Sequence, residues 1–509
     1  MHHPFPKKYI ILLGMLSGLA FAPLFFVFFL FTTSILCHRV KSASNPIEAF
    51  NLGLSFGFGH FLTSMYWISI GVGVYINEFW WVIPFALFGL PLILSFFIAG
   101  SCLISWLARK EYYFHFIFCL NWVLFEWLRS WIFTGLPWNL LGYAFCFSDT
   151  LMQSVGIFGI YGLSFIVIYI SSSYYDLFKF SVNKRAIARY AVCSLVIVSI
   201  LSIYGYLKLK AHHTLFSNIS VRLVQPSILQ TSKWNEYEFW HNLETHIKLS
   251  NVSKTFPDLV IWSEAALVVP YKHLAIRDKI TAMLENSRSI LVTGSIADNN
   301  ENGKDFKIFS ALQAISSNGN LLFEYHKSHL VPFGEYVPLS NILPMKKLTP
   351  GYLDYTEGTK EIVYLKELGL KIKPLICYES IFPELVRTSY GMADIIINVT
   401  NDAWYGKSSG PHQHLHISRI RAIENGLPLI RAANNGISAI IDPMGRIIKK
   451  LDTDEFGVID SFLPIKIEHE NTYQKLGDFS VLIAIFLILF LQIFLRWLMD
   501  QKIKLNRVY

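Results

Sequence analysis

Long stretches without charged side chains are the feature that most constrains what this chain can fold into. They fill most of residues 9–207 and return at residues 479–495, whereas residues 209–477 have the mixed composition of an ordinary soluble domain. A helix that crosses a bilayer needs about 20 apolar residues, because lipid offers no hydrogen-bond partners to the backbone. Only 16% of the 509 residues are charged, against about 25% in a typical soluble protein. The sequence therefore predicts a membrane protein that carries one large folded domain.

The apolar stretches divide into eight predicted spans. The first run, residues 9–37, has basic residues on both sides, at 7–8 and at 39–41. Because basic loops stay in the cytoplasm, this run must cross twice, and we predict a helical hairpin that turns near residues 20–23. The other predicted spans are residues 49–72, 79–107, 112–131, 152–175, 188–207 and 478–499.

The remaining basic residues set the predicted orientation. They fall in alternate loops, whereas the loops around residues 74–79 and 135–139 contain no lysine or arginine. This pattern places both termini in the cytoplasm and the soluble domain on the opposite side of the membrane. The net charge of +8 is then an orientation signal, and it argues against a nucleic-acid partner. The predicted domains are a transmembrane domain with about seven spans at residues 1–208, the soluble domain at 209–477, and a final helix with a cytoplasmic tail at 478–509.

The soluble domain reads as an α/β layered sandwich. Short apolar and β-branched runs alternate with amphipathic segments between Ile219 and Asp460. Three polar residues, Glu264, Lys327 and Cys377, each come directly after a predicted strand. Open α/β sheets commonly bind ligands at the carboxyl ends of their strands. The sequence therefore places an acid, an amine and a thiol where a site would form.

An acid, an amine and a thiol can act together as a nucleophile set. The carboxylate takes the thiol proton, while the ammonium stabilises the thiolate and the developing oxyanion. Spacing alone leaves two alternatives open. Cys377, the single cysteine of the soluble domain, is either an inert buried residue or a nucleophile. Glu264 and Lys327, taken singly, are more often solvated surface charges.

At these segments the sequence resembles the nitrilase superfamily, whose members carry a Glu-Lys-Cys triad on an α-β-β-α sandwich. The resemblance is closest to a membrane-embedded branch, the apolipoprotein N-acyltransferases of the bacterial inner membrane. The segments that carry it are PDLVIWSEAAL (257–267), YHKSHLVPFGEYVP (325–338), ICYESIFPELVR (376–387) and NVTNDAWYGKSSGPHQH (398–414). In the apolar part, GLPWNLLGY (135–143) is similar to the loop before the sixth span of that family.

The resemblance implies a role for each matching residue. Glu264 would be the general base, Lys327 the cation that stabilises the oxyanion, and Cys377 the nucleophile. Glu335, eight residues after Lys327, would support the charge network.

Four further residues lie in matching segments. Tyr378 and Glu379 adjoin the nucleophile, and the resemblance implies that they shape the thiolate pocket and a mobile loop. Trp234 and Trp404 match tryptophans that line the entry for acyl chain or lipid, with core packing as the alternative.

The activity that the resemblance implies is a two-step acyl transfer without cofactor or metal. Cys377 would take an acyl chain from a membrane glycerophospholipid as a thioester. The α-amine of a diacylated apolipoprotein, at its N-terminal cysteine, would then attack that thioester. Both substrates are anchored in the bilayer, so we expect the soluble domain to work in the periplasm at the surface of the inner membrane.

Two other functions remain as alternatives. A membrane-tethered amidase of the nitrilase type would resolve the acyl-enzyme with water, but a simple tether needs one span and not eight. A polytopic transporter with an accessory binding domain would need ionisable residues along a path through the spans, and few are present.

Two local patterns have simpler explanations than catalysis. The G-x-S-x-G pattern at residues 53–57 falls inside a predicted span, which favours close helix packing. His412, His414 and His416 alternate in a way that permits a metal site, but we favour a structural role for His414.

Overall fold

The computed structural model describes residues 9–178, 184–253, 256–285, 287–299, 306–338, 340, 347–349 and 353–505. The chain divides into two compact units. The first comprises the described parts of Met1–Tyr66, Pro84–His212 and Lys475–Tyr509, and the second comprises those of Trp67–Ile83 and His213–Gln474. The predicted cytoplasmic placement of the chain ends falls on residues 1–8 and 506–509, outside the described range.

The secondary structure is helical in the first unit and mixed in the second. The helices are α1 Ile10–Gly18, α2 Thr32–Ser42, α3 Pro46–Ser64, α4 Trp67–Gly73, α5 Ile76–Phe79, α6 Leu90–Leu107, α7 Phe114–Arg129, α8 Asp149–Met152, α9 Val155–Ser172, α10 Lys184–Ala211, α11 Gln230–Lys233, α12 Phe239–Ser250, α13 Leu274–Leu284, α14 Pro383–Val386, α15 Ser409–Asn425, α16 Thr472–Leu476 and α17 Val481–Leu505. The strands are β1 Phe216–Gln225, β2 Leu259–Ile261, β3 Ile290–Asp298, β4 Ile308–Ile315, β5 Leu321–His326, β6 Val363–Leu365, β7 Leu370–Ile376, β8 Ile395–Thr400, β9 Leu429–Ala433, β10 Ser438–Ile441, β11 Ile447–Leu451 and β12 Gly457–Pro464.

Four helical segments among the described residues are long and apolar enough to cross a membrane. They are Phe85–Leu107, Val155–Phe178, Ile187–Ala211 and Thr472–Phe494, and each overlaps a predicted span. Large apolar side chains are exposed along them, such as Phe85 (67%), Leu195 (67%) and Phe490 (68%). Such surface is stable in lipid and unfavourable in water. The count of eight spans and the predicted domain limits stay predictions.

The G-x-S-x-G segment lies in the middle of α3, where its glycines permit close helix packing. A Cβ atom at Gly53 would lie 2.7 Å from the Cα atom of Ala99 on α6, and one at Gly57 would lie 2.9 Å from that of Ser95. The segment is therefore a contact between helices and not a turn that exposes a nucleophile.

The stretch between α3 and α6 departs from the predicted spans. Residues 49–72 read as one span in the sequence, but α3 ends at Ser64 and α4 belongs to the second unit. There the Trp67 indole donates to Gln413 Oε1 at 3.1 Å, and its ring lies 4.5 Å from that of Tyr405. The sequence stays apolar beyond Ser64 because the aromatic side chains that follow pack inside the second unit.

The second unit is an α-β-β-α sandwich, which confirms the predicted fold class. Its two six-stranded sheets have the orders β12-β1-β2-β3-β4-β5 and β11-β10-β9-β8-β7-β6. One apolar core lies between the sheets, with side chains from both, such as Leu223, Ile261, Ile372 and Ile397. Further apolar clusters join α12 and α13 to the first sheet and α15 to the second.

Strand direction decides where the polar residues lie. Strands β1, β2 and β3 run parallel in the first sheet, as do β7, β8 and β9 in the second. Glu264 lies three residues beyond the end of β2, and Lys327 and Cys377 directly follow β5 and β7.

Candidate active site

A buried lysine with two carboxylates forms the centre of the site. Lys327 Nζ lies 2.8 Å from Glu335 Oε1 and 3.8 Å from Glu264 Oε1, and only 1% of its side chain is exposed. Glu335 Oε2 also accepts a hydrogen bond from the Val331 backbone N–H at 2.7 Å. The predicted residues Glu264, Lys327 and Glu335 are therefore brought together by segments that lie far apart in the sequence.

Cys377 completes this cluster. The charges of Glu264 and Lys327 act on its thiol, and so does the Thr400 hydroxyl at the end of β8. Cys377 begins a 3₁₀ turn with a φ of +50°, in the left-handed region. This conformation costs a residue with a Cβ atom about 1–2 kcal/mol. The sharp turn presents the thiol at the strand end, and the residue is 7% exposed.

Burial and charge both change the acidities at the site. Burial raises the pKa of Glu264, while the Lys327 ammonium acts in the opposite direction. Burial and the Glu264 carboxylate raise the pKa of the Cys377 thiol to about 12, although Lys327 opposes them. Burial alone would lower the pKa of Lys327, but the carboxylates of Glu335 and Glu264 outweigh it and raise that pKa. The resting site therefore holds a neutral thiol beside a permanent cation.

Glu379, predicted to shape the thiolate pocket, connects two strand ends. One carboxylate oxygen accepts hydrogen bonds from Tyr325 Oη at 2.8 Å, Ser328 N at 2.7 Å and Ser328 Oγ at 2.8 Å. The other oxygen accepts from Ile376 N at 2.7 Å. Since Ser328 follows Lys327 and Ile376 precedes Cys377, this carboxylate links the two sheets beside both residues.

The other predicted residues lie around the cluster. The Tyr378 ring packs edge-on against Phe382, with centroids 5.0 Å apart. Trp404 lies in a 3₁₀ turn after β8, and its ring is 6.0 Å from that of Tyr75. Trp234 directly follows α11, and its buried indole N–H has no hydrogen-bond partner among the residues that the structure describes.

Sequence reasoning missed a buried ionic network beside Cys377. Arg431 Nη2 donates to Asp402 Oδ2 at 2.6 Å, and Asp402 Oδ1 lies 3.0 Å from His414 Nδ1. The other nitrogen of His414 is 2.9 Å from Ser380 Oγ, in the turn that Cys377 begins. Burial and Arg431 lower the pKa of His414. The structural role expected for His414 agrees with this network.

Sequence reasoning also missed Lys233. It directly precedes Trp234 in the sequence, and its Nζ donates to the Glu264 carbonyl at 2.6 Å. The sequence alone does not show that the charged end of this lysine is buried.

Two stacked sheets with a carboxylate, a lysine and a cysteine at their strand ends define a domain of the carbon-nitrogen hydrolase class. The profile described as "Carbon-nitrogen hydrolase" matches residues 220–464, and that described as "Apolipoprotein N-acyltransferase N-terminal domain" matches residues 13–173. The chain belongs to the apolipoprotein N-acyltransferase family, a family of acyltransferase enzymes, which confirms the resemblance noted in the sequence.

Two relatives in the apolipoprotein N-acyltransferase family show this membership, over 98% and 82% of the chain. The apolipoprotein N-acyltransferase of Rickettsia bellii is 57% identical over 98% of this chain and 98% of its own length. That of Brucella melitensis is 34% identical over 82% of this chain and 80% of its own. A solved amidase from Nesterenkonia is 20% identical, covering 52% of this chain and 95% of that one, with a TM-score of 0.37.

Proposed function

We propose that this chain transfers an acyl chain from a membrane glycerophospholipid to the N-terminal α-amine of diacylglyceryl-modified apolipoproteins, the last step of their maturation. The observation that carries the mechanism is the cluster of Cys377, Glu264 and Lys327, in which the carboxylate lies 3.8 Å from the buried ammonium and both charges act on the thiol. The names of the relatives support the apolipoprotein as acceptor. The chemistry of the site and the apolar helices support a glycerophospholipid as the acyl donor.

The first step forms the acyl-enzyme. The Glu264 carboxylate takes the thiol proton, and the Cys377 sulfur attacks the carbonyl carbon of the phospholipid ester. Lys327, held in place by Glu335 at 2.8 Å, stabilises the negative charge that develops on the acyl oxygen. The carbon–oxygen bond then breaks, Glu264 returns its proton to the leaving alcohol, and a lysophospholipid departs.

The second step releases the product. The α-amine of the apolipoprotein cysteine attacks the thioester, and Glu264 takes the proton that the nitrogen loses. The carbon–sulfur bond breaks and the proton returns to Cys377, so that an ester and an amine have become an amide and an alcohol. No cofactor is needed, because the thioester keeps the acyl group reactive. Burial of Cys377 (7% exposed) and Lys327 (1%) limits competing attack by water.

The membrane position of the enzyme follows from its substrates. Both are anchored in lipid, so the sandwich must work at the bilayer surface, and the four apolar helices supply an anchor there. With the basic loops in the cytoplasm, we place the protein in the bacterial inner membrane. Its catalytic unit is then periplasmic and both termini are cytoplasmic.

The test uses the purified full chain with phospholipid and a diacylated lipopeptide that has a free N-terminal cysteine. We expect Cys377→Ala and Cys377→Ser to lose N-acylation, whereas Cys102→Ala, which removes another buried cysteine, retains it. With phospholipid alone, mass spectrometry should show one acyl group on the Cys377 peptide that hydroxylamine removes. N-acylation by Cys377→Ala would refute the mechanism. Release of fatty acid to water with no acylated lipopeptide would instead indicate an amidase-like hydrolase.

A further inference from the structure

A second lysine lies next to the catalytic cluster and has no role in the mechanism above. Lys233, the last residue of α11, is 4% exposed, and its Nζ donates to the backbone carbonyl of Glu264 at 2.6 Å. The charge of the same residue's carboxylate acts on the Cys377 thiol. Lys233 is therefore bonded to the backbone of the residue that takes the thiol proton.

The Lys233 ammonium is poorly compensated for a buried charge. An ammonium has three N–H donors, and the bond to the Glu264 carbonyl is the one hydrogen bond of Lys233 Nζ within the described part of the chain. No carboxylate among those residues lies within 4.0 Å of it, whereas Lys327 has two. A buried cation is costly unless a negative charge or several acceptors face it. We therefore expect the remaining N–H donors of the Lys233 ammonium to stabilise a negative charge that forms during the reaction.

The charges of the cluster show where that negative charge arises. Glu264 and Glu335 together carry two negative charges and Lys327 carries one positive charge, so this group alone has a net charge of −1. Such a group opposes ionisation of the thiol beside it. With Lys233 included the charges of these four residues cancel, which reduces the opposition of the carboxylates to ionisation at sulfur or addition to an acyl carbon.

The acidity of Lys233 agrees with this interpretation. Burial lowers its pKa to about 8, while the carboxylate of Glu264 and the Cys377 thiolate raise it. His246 on α12 is a further titratable group that interacts with it. Burial lowers the pKa of His246 to about 4, so this imidazole is neutral at pH 7. Lys233 therefore remains mostly protonated near neutral pH and becomes more firmly so when the thiolate forms.

We propose that Lys233 is the counter-cation of the Cys377 thiolate, a positioning residue that favours ionisation of the nucleophile beside the Glu264 carboxylate. The role of Lys233 in acyl transfer rests on the proposed function. The direct test of the counter-cation needs no lipid substrate, so this proposal and the proposed function can fail separately.

The test measures the alkylation rate of Cys377 in the full chain in detergent, at pH 7.5, by mass spectrometry of the Cys377 peptide. Iodoacetamide is neutral, so its rate follows the thiolate fraction. We expect Lys233→Met and Lys233→Gln to lower this rate about tenfold, which is one pKa unit at the thiol, and Lys233→Arg to restore most of it. Lys373→Met is the matched control. Lys373 is also buried, at 5% exposed, but the charges that act on it are those of Glu379, Lys360 and Glu361, whereas Cys377 acts on Lys233.

Iodoacetate adds a second readout that a purely structural role would not change. It is anionic, so a cation beside the sulfur favours it, and the ratio of its rate to that of iodoacetamide should fall in Lys233→Met and Lys233→Gln. If the methionine variant does not fold, the glutamine variant, which keeps a donor for the Glu264 carbonyl, decides. Unchanged iodoacetamide rates and an unchanged ratio in a folded neutral variant would overturn the proposal, whatever happens to N-acylation.

Discussion

Replacing Glu379 by glutamine keeps the shape of the side chain but removes the acceptor that links the two sheets beside Lys327 and Cys377. The carboxylate is fully buried and accepts four hydrogen bonds, from Tyr325, Ser328 and Ile376. The amide offers one oxygen. We expect it to keep the three donors on one side, so that its NH₂ group faces the Ile376 N–H.

The structure allows the cost of this change to be worked out. One hydrogen bond to a charged acceptor is lost, worth about 1.5–3 kcal/mol, and a buried N–H without a partner adds about 1–3 kcal/mol. Burial raises the pKa of Glu379, so removal of its charge recovers part of this loss. The expected net destabilisation is about 3 kcal/mol. It should lower the Tm of the sandwich by about 6–12 °C, at about 2–4 °C per kcal/mol for a domain of this size.

Thermal unfolding followed by tryptophan fluorescence measures the stability, and steady-state N-acylation measures the function. Because Ile376 directly precedes the left-handed Cys377, kcat should fall more than KM changes. Tyr325→Phe, which removes one of the four donors, should cost about half as much in Tm. If Glu379→Gln unfolds within 2 °C of wild type, a shift below about 1 kcal/mol, and keeps its kcat, the carboxylate does not hold the strand ends together.

Three further changes test other parts of the site. In Glu335→Gln the pKa of Glu264 should fall, because the Glu335 carboxylate raises it. The base then stays ionised to lower pH, so the acid limb of the kcat/KM profile moves to lower pH. In Gly294→Ala the new Cβ would lie 2.6 Å from the Glu264 Cα atom, and the displaced backbone should cost about 1–3 kcal/mol in thermal unfolding as well as activity. In His246→Leu the pH dependence of stability should weaken. The folded-state pKa of His246 is about 4 and its unfolded value is about 6.5, so the unfolded chain binds the extra proton and wild type loses about 2 kcal/mol between pH 7 and pH 5.

Each of these predictions has a control and a result that contradicts it. An acid limb that does not move in Glu335→Gln would show that the two carboxylates are not coupled. Gly73→Ala adds a Cβ atom that meets no described atom within 4 Å apart from its chain neighbours and its own helix backbone, so it should leave Tm unchanged. A Gly294→Ala protein as stable as this control would contradict the close approach at Glu264. For His246→Leu, an unchanged difference in Tm between pH 5 and pH 7 would mean that this imidazole does not control the acid sensitivity.

Much of the architecture was predictable because it depends on local patterns. Apolar runs are set by the solvent that surrounds a helix, so four predicted spans recur as helices long enough to cross a membrane. Alternating strands and helices predicted the sandwich, and the positions of Glu264, Lys327 and Cys377 after strands predicted candidates that lie together in the fold. The end of α3 at Ser64, inside the predicted span 49–72, was not predictable, since the aromatic residues that pack Trp67–Gly73 within the second unit look the same in a sequence as lipid-facing ones.

The sequence by itself determined that this chain has apolar helices, a sandwich domain and one cysteine outside the apolar stretches, because periodicity and composition are local properties. Only the tertiary structure decided which charges meet. The link from Glu379 to both strand ends, the network of Asp402, His414 and Arg431, and the approach of Lys233 to Glu264 all join residues from different strands or loops. Their energies depend on distance and burial, and those exist only once the two sheets have packed.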